Sequence, residues 1–217
     1  MRKVLVAVVV LVSGCGTPTQ TAPPSPSPSV GGVAVGFVGN DTCSTAGQSP
    51  YAPAPRNTNG PPVGQPIDEM PHRHAVEGVR VTYLHNPPTS GCHYNLGTGI
   101  APLSPGVYTP QSAAKLAPEY WVHNLEHGYV VVTYNCPTGC AADLGRLTNW
   151  YRSLAPDAGG GVPYAKFIAV PYPQQRETWD IVSWDWFDPI GSTLNLDEIQ
   201  RFYANHTNQG PEGPSAA

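Results

Sequence analysis

Trp121-Val122-His123-Asn124-Leu125-Glu126-His127-Gly128 runs directly into Tyr129-Val130-Val131-Val132-Thr133-Tyr134. If the first stretch is helical, its two histidines, four apart, share a face with Glu126 beside them. Gly128 can stop that turn in a left-handed conformation. The second stretch is β-branched and apolar, which predicts a buried strand. A short helical turn carrying two imidazoles and a carboxylate is thus pinned to a strand, a rigid place to hold a metal or move a proton.

Six of the seven histidines fall between positions 72 and 127. Upstream lie His72, His74, His85 and His93, the last within Pro87-Pro88-Thr89-Ser90-Gly91-Cys92-His93-Tyr94. The prolines and Gly91 shape a loop that presents His93. Ser90 beside His93 would need a base within reach and a group to orient it, and the sequence shows neither.

Around this centre the pattern predicts one compact, loop-rich α+β domain over 67–213, with a short central sheet and two main helices. Strands are expected at Val79–Leu84, Tyr129–Tyr134, Lys166–Val170 and Thr178–Trp184. Leu144, Leu147, Tyr151 and Leu154 recur at helical steps. Asn195 with Glu198 three residues on resembles a capping box opening a last helix. The 26 prolines and 23 glycines fit short elements and long connections.

The N-terminus reads differently. Arg2 and Lys3 precede the apolar run Val4–Val12, too short to span a bilayer. The run ends in Val12-Ser13-Gly14-Cys15, which resembles a bacterial lipobox. Residues 1–15 are therefore expected to be a lipoprotein signal peptide, with Cys15 the lipid attachment. Residues 16–35 are expected to form a Pro/Ser-rich tether and 36–66 a loop-rich segment, with Val33–Val38, across that boundary, expected to add an edge strand. The expected location is extracytoplasmic, held to the bacterial cell membrane through the lipid. Formal net charge is −4 and 12% of residues are charged. With no basic stripe, nucleic acid is excluded as a partner; a protein partner is not specified.

With Cys15 assigned to lipid, Cys43, Cys92, Cys136 and Cys140 remain, an even set outside the cytoplasm that predicts disulfides. Cys136–Cys140 spans a turn, and Cys43–Cys92 would staple the N-terminal segment to the histidine loop; three connectivities stay open.

Two blocks together resemble a known family. Pro87-Pro88-Thr89-Ser90-Gly91, then His93-Tyr94, a Gly106-Val107-Tyr108 step, and Val122-His123-Asn124-Leu125-Glu126-His127-Gly128 before a strand ending in tyrosine are similar to the domain-of-unknown-function family 3105. Trp186, Phe202 and Gly210-Pro211-Glu212 also fit. The resemblance covers roughly 65–213 and implies an exported or membrane-tethered bacterial domain without an established activity. Cys92, Cys136 and Cys140 depart from the family pattern.

The functional expectation is a divalent-metal site of His93, His123 and His127, with His74 or His85 as a fourth ligand. Imidazole-rich sets outside the cytoplasm suit Zn²⁺ or Cu²⁺. Glu126 is a ligand, an orienter or a general base. One alternative is a metal-free envelope binding module with structural histidines. Another is a thiol-based copper chaperone or redox protein using Cys136 and Cys140, with His206 nearby. His123-x-x-Glu126-His127 also spells the inverted zinc-peptidase motif, although Gly128 ends the turn that such enzymes extend.

Overall fold

The computed structural model describes residues 62–96, 100–156 and 161–216. The expected signal segment and tether, with Cys15, Val33–Val38 and Cys43, lie outside the described residues.

In chain order the elements are β1 (Gln65–Pro66), β2 (His74–Ala75), β3 (His93–Tyr94), β4 (Gly106–Val107), a 3₁₀ turn (Pro110–Lys115), α1 (Pro118–Glu126), β5 (Val130–Tyr134), α2 (Ala141–Ser153), β6 (Phe167–Pro171), β7 (Trp179–Ser183), β8 (Trp186–Gly191) and α3 (Leu196–His206). Six strands form one mixed sheet in the order β1-β8-β7-β5-β6-β4, and β2 pairs with β3 separately. β5 is central: parallel to β6, with Val131 opposite Ile168, and antiparallel to β7, with Val131 opposite Val182. The fold is α+β as expected, with three helices and a wider sheet than the sequence pattern indicated.

All five residues of β5 are buried, because both faces of the sheet are covered. Val131, Ile168, Val170 and Val182 pack with Trp121, Val122 and Leu125 of α1. Val130, Val132, Phe167, Ala169 and Ile181 pack with Leu147 of α2 and Ile199 and Phe202 of α3. A doubly covered strand is apolar continuously rather than alternately, which accounts for the run Val130-Val131-Val132. Trp121, Val122 and Leu125 are each 0% exposed, worth about 1.5–3 kcal/mol apiece on burial.

α3 begins as the sequence predicts. Asn195 Oδ1 accepts from Glu198 N at 3.2 Å, and Asn195 Nδ2 donates to Glu198 Oε2 at 3.0 Å.

Residues 79–84 correct the expectation of a strand. Val81 and Tyr83 are buried and Thr82 and Leu84 exposed, as alternation requires. The backbone, however, bonds side chains instead of a neighbouring strand. Val81 N donates to Glu119 Oε1 at 3.0 Å, Leu84 N reaches Met70 Sδ at 3.3 Å, and Val79 O accepts from Tyr94 Oη at 2.8 Å. Alternation reports which side faces the core; it does not supply a ladder partner.

Among the described residues one disulfide is present, Cys136–Cys140, with Cα atoms 5.8 Å apart. Cys92 is fully buried, and its expected partner Cys43 is outside the described residues. Among the described residues no helix is long and apolar enough to cross a membrane.

Candidate metal centre

α1 divides its residues by face. Trp121, Val122 and Leu125 enter the core, whereas Glu119, His123, Glu126 and then His127 turn toward the loop layer. Asn124 clamps the neighbouring loop, accepting from Leu103 N and donating to Leu103 O, both at 2.8 Å. Glu119 Oε2 also meets Arg80 Nη1 at 3.3 Å. The helix is thus fixed on both sides.

The small β2–β3 pair supplies the facing histidines. Its parallel register sets His74 opposite His93. One ligand atom each from His74, His93, His123 and Glu126 all lie within 4.8 Å of one another. The rings of His93 and His123 are 4.8 Å apart between centroids, and His74 is 5.2 Å from His93 and 5.3 Å from His123. His93, His123 and Glu126 are buried, and His74 forms the exposed edge.

Backbone carbonyls fix two of the tautomers. His93 Nδ1 contacts Gly91 O at 2.9 Å and His123 Nδ1 contacts Tyr94 O at 2.7 Å. A carbonyl only accepts, so each Nδ1 carries the proton and each neutral ring keeps a lone pair on Nε2. That is the arrangement of a ligating histidine held from behind.

His93 Nε2 lies 2.8 Å from Glu126 Oε2. Both atoms are buried, and neither has a hydrogen-bond partner beyond the other. Two lone-pair-bearing atoms this close repel unless a proton or a cation lies with them. Burial works to raise the Glu126 carboxyl, but positive charge shared with His93 across this contact, with His123 beyond, outweighs burial and holds it below its ordinary value. Burial first, then His93 and His127, lower His123 to about 4. His123 is therefore a neutral donor and Glu126 an anionic one at ordinary pH.

His74 is the adjustable member. Its Nδ1 lies 3.3 Å from Asn95 Nδ2, and its Nε2 lies 3.9 Å from Glu126 Oε2. Turning the Asn95 amide would set an oxygen against Nδ1 and free Nε2.

The expected trio of His93, His123 and His127 needs correction, because His127 belongs to another group. Its ring stands at 85° to His123, and its Nε2 meets Glu212 Oε2 at 2.9 Å. Glu126, His127 and Glu212 form a second set of ligand atoms within 4.8 Å. His127 follows the end of α1, so it turns toward the C-terminal segment. Sequence reasoning left Glu212 out, since only contact across 85 residues of chain brings it here; its one signal was Gly210-Pro211-Glu212 among the motif residues.

His85 is also elsewhere. Its Nδ1 donates to Pro87 O at 2.6 Å, its ring stands on Phe187, and it lines a separate cavity of about 360 Å³ with Asn86, Arg176 and Asp180. His72 pairs with Glu69 at 3.1 Å. His206 is fully buried between Trp186 and Phe202 and bonds Val63 O, so it is a core histidine rather than a partner for Cys136 and Cys140. Ser90 Oγ accepts from Met70 N at 2.9 Å, which fixes a loop. The inverted peptidase reading also weakens, because Glu126 stands among the ligand candidates and the two motif histidines fall in different sets.

Among curated proteins and among solved structures, nothing matches the chain. A family model does, over residues 74–217, and its description is "Protein of unknown function (DUF3105)". The matched span contains both histidine sets and the C-terminal segment that closes over them, and the chain belongs to the DUF3105 family.

Proposed function

We propose that this protein is a lipid-anchored, extracytoplasmic metal-binding domain whose resident ion is held by His74, His93, His123 and Glu126. The observation that carries the reading is the buried approach of His93 Nε2 to Glu126 Oε2 at 2.8 Å, with no other partner for either atom. The carbonyls of Gly91 and Tyr94, which hold the outer nitrogens of His93 and His123, support it. Three imidazoles and a carboxylate make a four-donor set of the tetrahedral kind that Zn²⁺ prefers. Cu²⁺ is the second choice, because imidazole and carboxylate also suit it. Met70, the methionine besides Met1, is buried with its sulfur against Leu84 N, so a thioether copper site does not enter.

In this reading Glu126 is a ligand. With four protein donors the site is closed and fastens the His74–Ala75 and His93–Tyr94 pair onto α1. The anchor rests on Val12-Ser13-Gly14-Cys15. Cys15→Ala tests it separately: the variant should leave the membrane fraction or stay unprocessed, and normal processing with membrane retention would contradict the anchor.

Zn²⁺ binding by the full chain, purified from an oxidising compartment, tests the metal. His93→Ala and His123→Ala should each weaken it by orders of magnitude, while His206→Asn leaves it unchanged. Absence of stoichiometric Zn²⁺ and Cu²⁺ from the native chain would return the histidines to a structural role.

A further inference from the structure

Glu126 is shared. It belongs to the His74, His93, His123 set and equally to the set with His127 and Glu212. A carboxylate has two oxygens and can bridge two ions, and paired ions in proteins stand about 3.5–4 Å apart. We propose that Glu126 bridges two divalent cations, an inner one in the closed histidine set and an outer one held by Glu126, His127 and Glu212. This rests on the metal reading above and extends it.

The outer set is built rather than incidental. Glu126 is 4% exposed, and its Oε2 faces His93 and His74 at 2.8 and 3.9 Å, which would leave its other oxygen for the outer ion. Glu212 is brought in by the C-terminal segment, which is held at several points. Asn208 N donates to Gly128 O at 2.8 Å, and Glu212 N reaches Glu126 O at 3.4 Å. The buried Lys166 ammonium donates to the carbonyls of His127 and Pro214 at 2.8 and 3.0 Å, and to that of Ala216. Gly128 has φ +80°, and a Cβ on it would meet the Asn208 backbone at 2.7 Å. Backbone contacts thus set the position of Glu212, and its carboxylate meets His127 Nε2 at 2.9 Å.

The two ions would differ in kind. The inner one has four protein donors. The outer one has one imidazole and two carboxylates, a harder set, and three protein donors leave a position for water or an anionic ligand, as at catalytic zinc. Glu212 is 45% exposed on its side chain against 5% for Glu126, so the outer ion meets solvent and exchanges first. The outer ion is therefore the one with chemistry to offer.

The test is the Zn²⁺ content of the metal-free full chain after titration, with affinity resolved for each equivalent. Wild type should take two equivalents, the second weaker by at least tenfold. His127→Ala and Glu212→Ala should each take one, with the first affinity within about threefold of wild type; the exposed Glu212 side chain makes loss of fold there a remote outcome. Glu126→Ala should lose the second equivalent and weaken the first. A wild type that takes one equivalent unaffected by Glu212→Ala overturns the bridge and leaves the inner site standing. A wild type that takes none overturns both. Two equivalents surviving in both His127→Ala and Glu212→Ala would place the second ion elsewhere and overturn the proposal.

Discussion

A Cβ built on Gly210 would lie 2.1 Å from the carbonyl oxygen of Glu126. The C-terminal segment is pressed directly onto the backbone of the ligand-bearing helix, and only a residue without a side chain fits there. Gly210→Ala should therefore displace the segment, at the 1–3 kcal/mol typical of overpacking. Urea unfolding measures the cost. Hydrogen exchange should show the loss of protection concentrated at residues 207–216.

Lys166 holds the same segment from below. It is 0% exposed and donates to carbonyls of His127, Pro214 and Ala216. Lys166→Met keeps the stem and removes the donors, leaving carbonyls without their cation. The expected loss is about 2 kcal/mol or more, with proteolytic sensitivity appearing first near residue 210. Unchanged stability would mean that water replaces the ammonium fully.

The histidine tautomers can be read by long-range proton–nitrogen NMR on the metal-free chain. His93 and His123 should both be Nδ1–H, and His123 should stay neutral at pH 5.5, since burial lowers it to about 4. Its folded value is depressed, so its contribution to stability is complete above the unfolded value near 6.5 and is lost as pH falls toward 4. His206, lowered to about 4 by burial, acts in the same direction. An Nε2–H tautomer at His123, or titration near 6.5, would contradict this arrangement.

Asp185 works on the alkaline side. Burial first, and then Glu69 and Asp68, push its carboxyl up to about 8. A raised carboxyl stabilises the fold when protonated, and that contribution declines as pH rises from the unfolded value through the folded one. Its φ of 58° is one that asparagine also adopts. Asp185→Asn should therefore gain on wild type as pH climbs from 5 to 8, seen as a growing difference in Tm. A difference independent of pH would show that Asp185 stays ionised.

Cys136 and Cys140 close a loop with a sequence separation of 4. Loop-closure entropy for so short a ring is about 2 kcal/mol. Replacing both by serine should cost about that amount and leave Zn²⁺ binding intact. Loss of metal with the thiols would instead favour the copper-chaperone alternative.

The legible part of this fold was whatever is local. The β-branched run at 130–134, the helical steps after Cys140 and the Asn195–Glu198 cap are short-range signals, and each appears in the structure. The sequence pattern hides the strand Trp186–Gly191 because Asp188, Pro189 and Gly191 mask its period; Pro189 pairs with Asp180 of β7 but is exposed, on a strand whose other edge is paired over only the two residues of β1. At the site, His93 and His123 were found from composition and spacing. Helical spacing makes His123 and His127 look like partners, which sets His127 ahead of His74 in the sequence. What separates them is that His127 falls past the last residue of α1, while β2–β3 pairing carries His74 to His93. That pairing, like the arrival of Glu212, is a tertiary contact with no local sequence period.

In the proposed metal centre one ion joins β2, β3 and α1 through His74, His93, His123 and Glu126. An anomalous difference map at the zinc edge, from crystals of the Zn²⁺-loaded protein, reads this most directly. A peak is expected about 2.0–2.1 Å from a nitrogen of each of His74, His93 and His123 and about 2.0–2.2 Å from a Glu126 oxygen. A loaded protein with no peak among these four side chains, and with His93 Nε2 still against Glu126 Oε2, would contradict it.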